Sequence, residues 1–176
     1  MEATIYQQIL GEKFSSLPFS IRRLHSLQGR STYAGCTNIL RGGNPLARLC
    51  ALFTGLPPAM RDARTRVEFL ADPRREIWRR DFGGHGMTSI LTHRDGQLRE
   101  RLGLVQLRFE LQTGNGEIWW IVRGVRLLGL LPLPTSWFRG VRCRERESQG
   151  RYEFLVEAAL PLIGLLVRYE GWLEPA

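Results

Sequence analysis

In the stretch EIWRRDFGG, residues 76–84, an arginine stands between a tryptophan and a phenylalanine in a strand-like pattern. Successive side chains of a strand alternate between two faces, so Glu76, Trp78, Arg80 and Phe82 share one face while Ile77, Arg79 and Asp81 share the other. If the first face looks inward, an unpartnered guanidinium there is strongly unfavourable. It must meet a carboxylate, carbonyls, water or an anionic ligand. The same alternation in QLRERLG, residues 97–103, sets Glu100 between Leu98 and Leu102 and turns Arg99 and Arg101 the other way. One inward arginine with one or two inward carboxylates, Glu100 and Glu76, makes a polar network in an apolar interior. Such a network either fixes strand register or lines a pocket where a few convergent polar groups orient a mostly apolar ligand. On the pocket reading the ligand-binding residues are Arg80, Trp78, Phe82, Glu100 and Tyr169, with Trp119 or Trp120 as a further aromatic wall.

Other chemistry-bearing residues are sparse. His25, His85 and His93 show no metal-ligand spacing, and Cys36, Cys50 and Cys143 are too far apart for a disulfide framework or paired zinc ligands. The cysteines read as small, reduced core residues. There is no GxSxG elbow, P-loop or GxGxxG fingerprint, and GNGEIW reads as a hairpin turn. Nucleotide chemistry and hydride transfer are therefore not expected, and neither a cofactor nor a metal is implied. Glu100 and His25 are the catalytic candidates left for cofactorless acid/base chemistry, although His25 beside Leu24 also reads as a packed or capping residue.

A chain of 176 residues with 43% hydrophobic content suits one domain over residues 1–176. Residues 1–58 read as a helical lead-in with one strand and a capping helix, and 59–176 as an antiparallel β body. Ile5, Ile9 and Leu10 are at helical spacing, and residues 15–26 look like a second helical piece with Pro18 near its start. Asn44 as N-cap, Pro45 in the first turn, an apolar stripe of Leu46, Leu49, Cys50 and Phe53, and Gly55 then Pro57 as stops define a helix. Almost everything else alternates as strands, with turns at Asp95–Gly96 and at GNG, for eight to ten strands. The fold class is α+β, mainly β: a strongly curved antiparallel sheet or calycin-like β-barrel, with N-terminal helices and one short helix covering an end. The segment LLGLLPLPTSWF is expected to be a core-packed crossover, with a mobile lid or membrane-touching rim as alternatives.

The net charge of +8 is almost wholly arginine, since Lys13 is the only lysine among 25 basic residues. Many of these arginines alternate with apolar residues, as on the solvent face of a strand, and no compact basic run with interleaved aromatics is present. Nucleic acid is not the expected partner. No apolar run approaches the roughly 18 residues of a transmembrane segment, and MEATIYQQ lacks the pattern of a secretory signal. A cytoplasmic location is the corresponding expectation.

YQQILGEKF with LPFSIRRLH, WRRDFGG followed by Ser89, Glu100 with Gly103, LLPLP, GRYEF and LPLIGLLVRYEGWL together resemble the bacterial domain-of-unknown-function family 4166. The resemblance covers nearly the whole chain. It implies shared positions at Trp78, Arg80, Phe82, Ser89, Glu100, Pro134, Tyr169, Gly171 and Trp172, and supplies no catalytic residue. Members of that family occur alone or behind a saccharopine-dehydrogenase-like NAD-binding domain, which implies a separate dehydrogenase-like protein as a possible partner.

Three functions follow as expectations. One is binding of a hydrophobic small molecule inside the curved sheet or barrel, with Arg80 and Glu100 at its polar end and a cavity of a few hundred Å³ around it, roughly the usual ligand scale. Another is a cofactor-independent cyclase or isomerase acting on an apolar metabolite in the same pocket. The last is a non-catalytic module docking on a dehydrogenase-like partner through the LLPLP loop or the basic outer face, a reading that an exposed apolar patch would favour.

Overall fold

The computed structural model describes residues 2–176. Helices form where the sequence places caps. Thr4 and Gln7 form a reciprocal capping box at the start of α1 (Ile5–Leu10), and a 3₁₀ segment over Gly11–Ser16 leads past Pro18 into α2 (Phe19–His25). The Thr4 hydroxyl also donates to the carbonyl of His25 at 2.7 Å, tying the end of α2 to the start of α1. The third helix, α3 (Pro45–Thr54), has the Asn44 cap, the first-turn proline and a left-handed Gly55 at its end.

Eleven strands make up the rest: β1 (Gly29–Arg41), β2 (Met60–Asp72), β3 (Arg75–Phe82), β4 (His85–Arg94), β5 (Gln97–Leu102), β6 (Val105–Gly114), β7 (Glu117–Leu127), β8 (Leu131–Leu133), β9 (Gly140–Ser148), β10 (Arg151–Leu160) and β11 (Gly164–Pro175). All pairings are antiparallel. Strands β1 to β7 follow one another around the sheet, then β9, β10 and β11, and β11 returns to β1 from Tyr33–Pro175 to Arg41–Val167. The result is a closed ten-stranded barrel with no open edge around its wall. The short β8 pairs with Val125–Leu127 of β7, whereas β9 pairs with Ile118–Trp120 at the other end of the same strand. Gly35 and Gly171 lie on the inward face where β1 meets β11. A Cβ on Gly35 would strike the carbonyl of Trp172, and one on Gly171 that of Cys36, so the curvature there needs glycine.

The barrel's two ends differ. Helices α1 and α2 plug one end, burying Ile5, Tyr6 and Ile21 against Phe69, Trp78, Leu98, Phe109 and Trp120. At the other end, the α3 end, a smaller cluster joins Ile39, Phe82, Met87, Val167 and Tyr169. Two sequence expectations fail there. Helix α3 buries Ala47 and Ala51, and its larger residues Leu46, Leu49 and Phe53 are at least half exposed. The reason is close approach: the preceding Gly42 lies against the carbonyl of Leu165 on β11, and only the small alanine face fits over that junction. The LLGLLPLPTSWF segment is likewise not core-packed. Leu128, Leu130, Leu131 and Trp137 are all exposed, because β8 lies beyond the closed wall with no second layer to cover it.

Candidate functional site

Strand alternation carries the key residues inward. On β3, Glu76, Trp78 and Phe82 are buried, and the Arg80 side chain is about nine-tenths buried, at 11% exposure. Ser89 of β4 is opposite Trp78, and Glu100 of β5 is opposite Leu91, so Arg80 reaches Glu100 across the intervening β4. One guanidinium nitrogen of Arg80 donates to Ser89 Oγ at 2.8 Å, another lies 3.8 Å from Glu100 Oε1, and the group sits 4.9 Å from the Trp78 ring centroid. That serine contact is Arg80's only side-chain hydrogen bond among the described residues, and Glu100 accepts none. A register pair in direct contact would leave neither group so underused.

Arg80, Trp78, Phe82, Glu100 and Tyr169 all line one internal cavity, joined by Trp120, Cys143, Glu145 and Tyr152. Trp120 points in and Trp119 faces outward, where it stacks with Arg144. The cavity measures about 70 Å³. On a scale where one water occupies about 10–15 Å³, that is room for roughly five waters, well below the few hundred Å³ expected from the sequence. The difference has a visible cause: Phe69, Trp78, Phe82, Trp120, Phe154 and Tyr169 fill most of the barrel's width. Burial raises the Tyr169 hydroxyl and the Cys143 thiol above their usual titration ranges, so both line the cavity in neutral form.

A second polar layer lies between the cavity and the helical plug. His25 Nε2 meets Glu145 Oε2 at 2.6 Å, with both side chains buried, and the Tyr6 ring stacks on the imidazole at 3.6 Å between centroids. Trp78 Nε1–H donates to Glu76 Oε2 at 2.9 Å. Burial lifts Glu76 to about 7, opposed by nearby His25 and by the Trp78 hydrogen bond. His25 itself does not line the cavity; its partner Glu145 does. Sequence reading missed Glu145 and Tyr152 as inward polar residues. The alternation of Tyr152 with Arg151 and Glu153 was a usable signal, whereas β9 reads GVRCRERES and offers little apolar periodicity. Among the described residues no group of three His, Cys, Asp or Glu side chains could hold a metal ion.

The fold and site define a helix-plugged, closed antiparallel β-barrel with an arginine, two carboxylates and aromatic rings around an internal cavity. The chain belongs to the family described as a domain of unknown function, DUF4166, whose model matches residues 17–173 and thus leaves α1 outside. No curated protein matches it. No helix among the described residues is long and apolar enough to cross a membrane.

Proposed function

We propose that the chain binds a small, mostly apolar molecule inside the barrel, with the molecule's polar end at Arg80 and Glu100. The observation that carries this reading is the underused pair itself. A guanidinium and a carboxylate, both largely buried and 3.8 Å apart, line the cavity, and the only side-chain hydrogen bond either makes among the described residues is from Arg80 to Ser89. Buried polar groups are nearly always satisfied, so the pair calls for a ligand that offers an acceptor to Arg80 and a donor to Glu100. Trp78, Phe82, Trp120 and Tyr169 supply the apolar walls, and the cavity volume restricts the enclosed part to a few heavy atoms.

Because Trp78 and Trp120 border the cavity, their fluorescence reports occupancy. Titration with isobutyramide, which has both a donor and an acceptor, should give a saturable change. Isobutyrate, which only accepts, should bind more weakly because Glu100 repels it. The Arg80→Met/Glu100→Leu protein should bind the amide at least about tenfold more weakly, the scale of one lost charge-assisted hydrogen bond. No saturable change with either compound, or equal amide binding by the double variant, would refute the reading.

A second reading rests on Glu145, which stands at the cavity wall with His25 hydrogen-bonded behind it. A carboxylate held by a buried imidazole has the arrangement of a base and its orienting group, as a cofactor-independent isomerase would require.

A further inference from the structure

The exposed large apolar side chains are not scattered. Leu40, α3, and the connections β5–β6, β7–β8, β8–β9 and β10–β11 all lie at the α3 end of the barrel, opposite the helical plug. These connections carry the exposed Leu104, Leu128, Leu130, Trp137 and Leu162; of the exposed large apolar residues only Phe19 lies at the other end. The turns at the plugged end carry Asp95–Gly96, Asn115–Gly116 and Gln149–Gly150 instead. The apolar tips are also joined: Leu104 N–H donates to Phe53 O of α3, and Leu128 N–H donates to Leu104 O. Leu128 and Leu162 have positive φ, 55° and 63°, where glycine or asparagine is the usual choice, yet a leucine projects from each.

Charge follows the same division. Arg48, Arg61, Arg101, Arg126, Arg139 and Arg142 are exposed on the α3 half, and none has a carboxylate within 4 Å among the described residues. The acids on that half are Asp62, Asp81, Glu157 and the inward Glu100. The remaining carboxylates lie on the plugged half, where many pair with its own arginines. The net positive charge of the chain is therefore concentrated around the apolar tips.

We propose that the α3 end docks on an anionic lipid bilayer, the leucine and tryptophan tips entering the headgroup boundary and the unpaired arginines meeting lipid phosphates behind them. Apolar tips with flanking basic residues are the composition of an interfacial anchor, in which burial and charge attraction add. A second copy of the chain is a poorer occupant. A symmetric contact sets a patch against itself, and here it would bring unpaired guanidinium groups together. The inference does not depend on what the cavity holds.

Flotation of the whole chain with vesicles of phosphatidylcholine alone, or of phosphatidylcholine and phosphatidylglycerol in equal amounts, tests it. The protein should float with the mixed vesicles, stay behind with phosphatidylcholine alone, and be released by raised salt. Arg139→Gln/Arg142→Gln should weaken binding by about fivefold per arginine. Leu130→Ser/Leu162→Asn should weaken it at least about tenfold without loss of folding, since both side chains are exposed and asparagine tolerates the backbone at 162. The proposal is overturned if the protein ignores both vesicles. It is equally overturned if the leucine variant floats undiminished, which would reduce the effect to bulk charge. A concentration-dependent dimer that the leucine variant abolishes, without flotation, would assign the face to self-association instead.

Discussion

Arg80→Met will unfold about 2–4 kcal/mol more readily than the wild type, and Arg80→Met/Glu100→Leu will recover most of that loss. Removing only the guanidinium strands Glu100, which among the described residues accepts no side-chain hydrogen bond, has Arg80 as its only ion-pair partner at 3.8 Å and is itself largely buried. It also deprives Ser89 Oγ of its donor. Removing both charges leaves an apolar wall beside Trp78 and Leu91, which the interior tolerates. The recovery is what makes the double variant useful: it retains the fold while emptying the proposed ligand contacts. Chemical denaturation of the three proteins measures the effect. If both variants unfold equally early, loss of the guanidinium does not strand Glu100, and the stability account of the pair fails.

The pH dependence of stability centres on Glu76. Its folded value is about 7 against an ordinary 4.5, because burial penalises its charged form. Between these values the folded chain keeps a proton that the unfolded chain has released. The stabilising contribution is complete below about 4.5 and is lost as pH rises through about 7. At about 1.36 kcal/mol per unit, the loss is of the order of 3 kcal/mol. The groups set against this carboxylate are His25 from α2, Glu145 from β9 and Asp72 from β2, with Trp78 donating to it. Glu76→Gln is neutral throughout and keeps an acceptor for the Trp78 indole. It should therefore be about 2–3 kcal/mol more stable than wild type at roughly pH 8, and nearly equal at roughly pH 4.5. Comparing the two proteins cancels the titration of all other groups. A difference that does not change with pH would show that Glu76 titrates normally.

The inward set on β3 was legible because period-two alternation depends only on the local strand, whatever the strand order. Glu76, Trp78, Arg80 and Phe82 could be placed from EIWRRDF alone, and Glu100 from QLRERL. The run of hairpins pointed to a strongly curved sheet or barrel, but alternation left open which of the two, since closure rests on pairing β1 with β11 across nearly the whole chain. The His25–Glu145 contact depends on the same closure, linking residues 120 positions apart. Its strand was also hidden, because an alternation of arginine and glutamate carries no apolar face. On α3, spacing showed correctly that Leu46, Leu49 and Phe53 belong together, yet spacing cannot tell whether such a face is covered. The alanines at 47 and 51 decided that, through the narrow gap over Gly42 and β11. LLGLLPLPTSWF departs from the core-packed expectation for the same reason: hydrophobicity alone does not imply burial, and nothing in the fold lies over this segment.

The most direct test of the binding account is native mass spectrometry of the purified protein, set against the same sample under denaturing conditions and against Arg80→Met/Glu100→Leu. The account predicts that the wild type carries a small molecule through purification, released on denaturation and missing from the folded double variant. A folded wild type with only the mass of its chain, or a molecule retained equally by the double variant, would contradict the assignment of Arg80 and Glu100 as a ligand site.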